Sequence, residues 1–269
     1  MERGVSLERA IELACEVPMA HGTESVSIDE ARGRVLSSGL ASKVDDPRFD
    51  NSAMDGFAVR AEDCADSSTK LEIVGTSQAG SANLPVVGKG QACRIMTGAP
   101  IPKGADAIVM VEDTSVVDNI VTIEGLARPG YIRRRAENLT EGEEALPAGA
   151  QLIPASIAFT ATMGYGEVEV VTQPRIAIIS TGDELVPAGA ELEPGQIHES
   201  NSHALASLVE RMGCQAVRFE AVEDSLDNLR NTLDTLADCD AIITSGGVSM
   251  GEWDLVRKLM EEEGEISFW

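Results

Sequence analysis

Nineteen residues, DDPRFDNSAMDGFAVRAED at positions 45 to 63, concentrate carboxylates: Asp45, Asp46, Asp50, Asp55, Glu62 and Asp63. A turn needs one or two aspartates to bond its own backbone. Six carboxylates beside small residues can hold a hard cation or steer a ligand. The competing reading is an acidic, solvated loop in an acidic protein, and spacing alone favours it. Pro47 and Gly56 punctuate the stretch, and Phe57, Ala58 and Val59 then begin a strand.

A second set lies near the other end, in Thr244-Ser245-Gly246-Gly247-Val248-Ser249-Met250-Gly251 followed by Glu252-Trp253-Asp254. Gly246 and Gly247 let backbone N–H groups approach a ligand, Ser245 and Ser249 add hydroxyls, and a helix starting near Glu252 adds its positive dipole end. That combination suits a phosphate or similar oxyanion; a plain strand-to-helix turn is the alternative. Asp183, Glu184, Asp224 and Asp254 follow strand ends or the loop itself. Carboxylates around an anion call for a bridging cation, and Mg²⁺ held by one or two of them plus substrate oxygens meets that need. Asp224 taken singly also reads as the cap of a helix beginning near Ser225.

Other constellations carry less. In His198-Glu199-Ser200-Asn201-Ser202-His203 the histidines are five apart and share no helix face, so a zinc site fails on geometry. Arg133-Arg134-Arg135 reads as an ion-paired or solvated loop ahead of a phosphate clamp. Thr97-Gly98-Ala99-Pro100 is a turn without chemistry of its own. No nucleophile–base arrangement stands out.

These residues need elements to place them. Ser6 to Val17 has a helical apolar face (Leu7, Ala10, Ile11, Ala14), and Ser27 with Glu30 reads as a capping box opening a short helix. Between 56 and 126, apolar runs at Phe57–Val59, Leu71–Val74, Ala92–Ile95, Ala107–Val111 and Ile120–Ile123 alternate with turn residues, which predicts a compact all-β module. Ala155 to Met163 is helical. From Glu167 onward strands (Glu167–Val171, Arg175–Ser180, Gln215–Val222, Asp240–Thr244) alternate with helices (Ser202–Met212, Leu226–Leu236, Glu252–Glu263), which predicts a parallel α/β sheet. Ligands of such sheets sit at the carboxyl ends of the strands, so the second set should gather on one rim.

Composition bounds the partners. The 269 residues carry 45 acidic and 21 basic side chains, a net charge of −24, and are 43% hydrophobic but only 3% aromatic. Residues 173–269 hold nineteen of the acids and six of the bases. Nucleic acid and anionic membranes are excluded as general partners. No apolar run is long enough for a bilayer span, and MERGVSLERA has no signal-peptide core. Five scattered cysteines without a C-x-x-C fit a reduced, cytoplasmic protein. The length predicts two or three domains.

The motifs NSAMDGFAV (Asn51–Val59), MTGAPIPKGADAIVMVED (Met96–Asp113), STGDEL (Ser180–Leu185), GQIHESNS (Gly195–Ser202) and TSGGVSMGEWD (Thr244–Asp254), in that order, resemble the molybdopterin molybdenumtransferases, the MoeA and gephyrin E-domain family. The resemblance implies a multidomain α/β plus β fold. A small linking domain (1–46 and 139–172) would carry an inserted β-rich domain (47–138), followed by an α/β molybdopterin-binding domain (173–269) incomplete at its C-terminus. It implies Mg-dependent insertion of molybdate into adenylylated molybdopterin with release of AMP. It further implies a cytoplasmic homodimer, with the molybdopterin adenylyltransferase as a candidate partner. On the family pattern Ser245, Gly246, Gly247, Ser249 and Gly251 bind substrate. Glu184, Asp224 and Asp254 hold Mg²⁺, and Asp55 and Thr97 complete the catalytic set with Glu184 and Asp224 from the other subunit. Two departures stand out. Ala136-Glu137-Asn138 replaces a Gly-Glu-Asp, and the chain stops at Ile266-Ser267-Phe268-Trp269, where the family runs on through basic KPGKP-like and GLPGNP-like segments. A truncated, non-catalytic molybdopterin-binding or dimerisation module is therefore the alternative.

Overall fold

The structure is a computed structural model that describes residues 2–17, 22–66, 68–220, 222, 225–246 and 255–268. Its elements are α1 (Leu7–Cys15), β1 (Thr23–Ser27), β2 (Leu40–Ala41), β3 (Asn51–Ser52), β4 (Gly56–Val59), β5 (Thr69–Ser77), β6 (Gln91–Ile95) and β7 (Ala107–Met110). There follow β8 (Thr114–Val117), β9 (Ile120–Ile123), β10 (Ile132–Arg133), β11 (Glu144–Leu146), α2 (Pro154–Thr162), β12 (Glu167–Val171) and β13 (Arg175–Ser180). The last are β14 (Leu185–Val186), β15 (Ile197–His198), α3 (Asn201–Arg211), β16 (Gln215–Arg218), α4 (Leu226–Asp234), β17 (Ala241–Ser245) and α5 (Leu255–Glu263). The chain divides into two compact units, one of Met1–Val26, Gly33–Ser37 and Glu169–Trp269, the other of Ser27–Arg32 and Ser38–Val168.

The second unit is built on a six-stranded sheet in the order β7-β4-β6-β5-β9-β8. Every neighbouring pair is antiparallel except β5 with β6. Alternation along the strands gives it two apolar faces. Phe57, Val59, Ala107 and Val109 pack on one side, and Ala58, Ile108, Cys93 and Ile95 on the other. Burial on both faces explains why Phe57–Val59 and Ala107–Val109 are continuous apolar runs.

The first unit holds a parallel sheet in the order β16-β13-β17. The central strand is clothed on both sides, as parallel sheets require. Ala177 and Ile179 pack with Leu233 and Leu236, while Ile176 and Ile178 pack with Leu205, Ala206 and Val209 of α3. The helix α5 buries Val256 and Leu259 against Leu229 of α4. The strand–helix alternation of the sequence is thus realised as an α/β fold, and the β-rich stretch as a β fold.

Local expectations meet three corrections. Ser27 and Glu30 do bond, hydroxyl to carboxylate at 3.0 Å, but they close a turn after β1 and open no helix. The strand at Gln215 ends at Arg218, short of Val222. Several strands escape the sequence pattern, among them β1 and the short pairs β2–β11 and β3–β10. The expected helical start at Glu252 lies outside the described residues, and the helix is described from Leu255.

Candidate functional site

The carboxyl rim of the parallel sheet is where β13 and β17 release their loops side by side. Ser180 pairs with Ser245 in register, and the Thr181 amide donates to the Ser245 carbonyl at 3.0 Å. Gly246 follows with a φ of +103°, and a Cβ there would stand 2.6 Å from the Thr181 carbonyl oxygen. Only glycine allows that approach. The Thr181 hydroxyl is buried and has no hydrogen-bond partner. Gly182 is likewise bare against a carboxylate, since a Cβ would meet Glu184 Oε2 at 2.6 Å.

Glu184 is exposed at the head of the short parallel pair β14–β15, its carbonyl accepting from the Ile197 amide at 2.8 Å. Opposite it, Asn201 opens α3 and its Nδ2 donates to Ser245 Oγ at 2.8 Å. These groups line a cavity of about 180 Å³ that includes Thr181, Glu184, Glu199, Asn201, Ser245 and Gly246. Leu185, Ile197, His198 and Ser200 complete the lining, and its hydroxyl, amide, carboxylate and glycine-backbone groups suit a phosphate and a hard cation.

Glu199 lies beneath the rim, 7% exposed. It accepts from Ser180 Oγ at 2.9 Å, the Ser202 amide at 2.7 Å and Ser202 Oγ at 2.6 Å. Arg218 Nε donates to Ser202 Oγ at 2.9 Å, and its guanidinium stands 3.8 Å from Glu199. Burial pushes the Glu199 carboxyl up, but the serine bonds and Arg218 outweigh it, and the group rests below its ordinary range. On its far side Glu199 borders a second cavity of about 340 Å³, with His203, Arg218 and Phe219. Sequence reasoning alone misses Glu199, Asn201 and Thr181. No capping signal marks Glu199, because a capping box sets its glutamate three residues after the serine and here it comes three before.

The Asp55 and Thr97 pair belongs to the other unit. Thr97 donates twice to Asp55 Oδ1, from its amide at 2.6 Å and its hydroxyl at 2.8 Å. The two bonds, amide first, hold the exposed Asp55 carboxyl below its usual range. The Asp55 carbonyl accepts from the Val111 amide at 3.0 Å. Gly56 makes this possible, for a Cβ would lie 1.9 Å from the Val109 carbonyl oxygen.

Four of the other acids of the 45–63 stretch tie loops together, while Glu62 pairs with the nearby Arg60. Asp45 takes the Glu141 amide at 2.8 Å and the Arg135 guanidinium. Asp50 takes the Arg135 amide at 2.8 Å and Arg134 at 2.7 Å. Asp46 accepts from Asn138 Nδ2 at 3.0 Å, and Asp63 from the Gly90 amide at 2.9 Å. Arg134 and Arg135 of the arginine island are therefore ion-paired, the reading its sequence favoured. No group of three His, Cys, Asp or Glu residues stands ready for a metal among the described residues. Of the residues expected at the site, Glu184, Ser245 and Gly246 come together; Asp224, Gly247, Ser249, Gly251 and Asp254 lie outside the described residues. No helix among the described residues is long and apolar enough to cross a membrane.

Comparison with known proteins matches the chain in two consecutive regions. Residues 5–164 match the MoeA N-terminal region, domains I and II, and residues 177–269 match a probable molybdopterin-binding domain. The molybdopterin molybdenumtransferase of Haemophilus influenzae is 37% identical over 257 residues, covering 94% of this chain and 63% of the relative. That of a Nostoc species is 42% identical over 248 residues, covering 90% and 57%. A crystal structure of a molybdopterin biosynthesis MoeA protein from Pyrococcus horikoshii superimposes with a TM-score of 0.81 at 31% identity, covering 89% of this chain and 65% of that one. The chain thus spans about three fifths of the length of the curated relatives it matches. With both family regions matched in order along the chain, it belongs to the MoeA family of molybdopterin molybdenumtransferases.

Proposed function

We propose that the chain binds adenylylated molybdopterin at the carboxyl rim of its α/β unit, for insertion of molybdate with release of AMP. The observation that carries this is the hydroxyl- and glycine-lined cavity at Thr181, Ser245 and Gly246, inside the region matched by the molybdopterin-binding family. Ser245, Gly246, Gly247, Ser249 and Gly251 would cradle the phosphate with backbone N–H groups and hydroxyls. Glu184, Asp224 and Asp254 would hold Mg²⁺. The fit rests on the donors at hand: one exposed carboxylate and neighbouring hydroxyls, all oxygen, leave positions for water and substrate phosphate as Mg²⁺ prefers. When bound, such an ion supplies charge neutralisation at the phosphoanhydride. The chain's own part is to hold the substrate in line and to position water. Asp55, kept ionised by Thr97, would join Glu184 and Asp224 from a second copy of the chain. The working domains in this reading are 47–138 and 173–269, linked by 1–46 with 139–172. The setting is cytoplasmic, with an adenylyltransferase supplying the substrate.

Calorimetry with molybdopterin, with and without Mg²⁺, tests the reading. Glu184→Ala should weaken the Mg-dependent part of the affinity about tenfold or more, the loss expected for a charged ligand group. Equal affinity in the variant and the parent would overturn the role of Glu184. A second reading is a molybdopterin-binding or dimerisation module without turnover. AMP release in a single-turnover assay separates the two: its presence supports the enzyme, its absence beside intact binding supports the module.

A further inference from the structure

Two carboxylate residues are buried among the described ones, Asp45 and Glu199. Asp45 has an arginine and a loop amide to explain it. Glu199 has more partners than a cap needs. A side chain that only capped α3 would take one amide. Glu199 takes the Ser202 amide and also two hydroxyls, one on α3 and one at the last residue of β13. Arg218, the last residue of β16, closes the arrangement through Ser202. One carboxylate therefore ties two elements directly and a third through a serine.

We propose that Glu199 is the positioning residue of the rim cavity. By fixing the first turn of α3 against the end of β13, it places Asn201 so that its amide reaches the Ser245 hydroxyl in front of Gly246. The claim rests on the proposed function, since the cavity so shaped is the one assigned to molybdopterin phosphate. A carboxylate is required for a countable reason. Three donors converge on the group, one oxygen receiving two of them and the other the third. An amide offers one acceptor oxygen and sets its NH₂ against a donor, leaving buried groups unpaired. Glu199 borders the cavity, but its carboxylate bonds go to Ser180 and Ser202, so its influence runs through Asn201 and Ser245.

The test uses the full chain labelled with ¹⁵N-asparagine, together with calorimetry against molybdopterin. Glu199→Gln should keep the parent's circular dichroism, move the Asn201 side-chain NH₂ resonance to the position seen in Ser245→Ala, and raise Kd about tenfold. Glu199→Asp, which keeps both acceptor oxygens, should restore the resonance and bring Kd within about threefold of the parent. A purely structural role would show no such recovery in step with the Asn201 signal. If Glu199→Gln fails to fold, Ser180→Ala removes a single donor and should displace the resonance in the same direction by less. An unmoved Asn201 resonance in the folded variant overturns the proposal, as does a Kd within about twofold of the parent. If the parent itself does not bind molybdopterin, the substrate reading fails, and the Asn201 resonance alone decides the positioning claim.

Discussion

Asp55 and Thr97 stand 42 residues apart in sequence and share one oxygen atom. Both donors favour the charged carboxylate, so its folded-state pKa falls below the unfolded value of about 3.9. The sign follows directly. The stabilisation is fully present above the unfolded pKa and is lost as pH falls through the lower, folded one. At neutral pH the pair is intact and Asp55 is charged. Thr97→Val deletes the hydroxyl donor and leaves the amide. Its Asp55 carboxyl should titrate closer to the ordinary value, read from ¹³C shifts between about pH 2 and 6. An unchanged titration would mean that the hydroxyl contributes nothing. The sequence exposes both residues as members of motifs, but it cannot say that one holds the charge state of the other. Glu199 is less legible still, because its partners lie at 180, 202 and 218 and no local pattern links them.

At the scale of elements, legibility follows the reach of the determining contacts. The strand at Arg175–Ser180 and the helix after Ser200 are readable because their apolar periodicity is written in consecutive residues. The pairs β2–β11 and β3–β10 are not, since each joins two or three residues to a partner roughly 80 to 100 positions away. Ser27 and Glu30 show the opposite failure. The local pair is real, but the chain turns there because β1 precedes it. Gly56 opens β4 directly after Asp55. The atom that a Cβ would strike is a backbone carbonyl of β7, which cannot rotate away. Gly56→Ala should therefore separate β4 from β7 and cost about 2 kcal/mol or more in urea unfolding, in the range of overpacked cores. The same variant should disturb the Asp55 amide resonance. A stability within about 0.5 kcal/mol of the parent, as for an ordinary surface change, would show that the sheet yields there.

Across the whole molecule the charge is −24, and an anionic ligand such as the proposed molybdopterin would approach against it. Salt screens such long-range repulsion over roughly 8–10 Å at physiological strength. Most phosphate binders lose affinity as salt rises, because their site is basic. This chain should do the reverse. At constant Mg²⁺, raising NaCl from about 20 to 200 mM should tighten molybdopterin binding several-fold, through a faster association rate. A weaker affinity at high salt would point to a local basic cluster that outweighs the global field. Composition alone makes this legible: nineteen acids against six bases in 173–269 set the sign.

The unit that carries the rim is assembled from three separated pieces of chain, with β1 near residue 25 paired to β12 near residue 170. On a ribosome this imposes an order. The first 26 residues emerge while their strand partner is still about 140 residues from being made. The β-rich unit, drawn from Ser27–Arg32 and Ser38–Val168, is complete by the time β12 appears. Its folding brings the ends of the intervening chain to fixed positions and shortens the effective loop that β1 and β12 must close. Folding should therefore run inside out: the inserted sheet first, the N-terminal strand captured next, the carboxyl rim of the parallel sheet last.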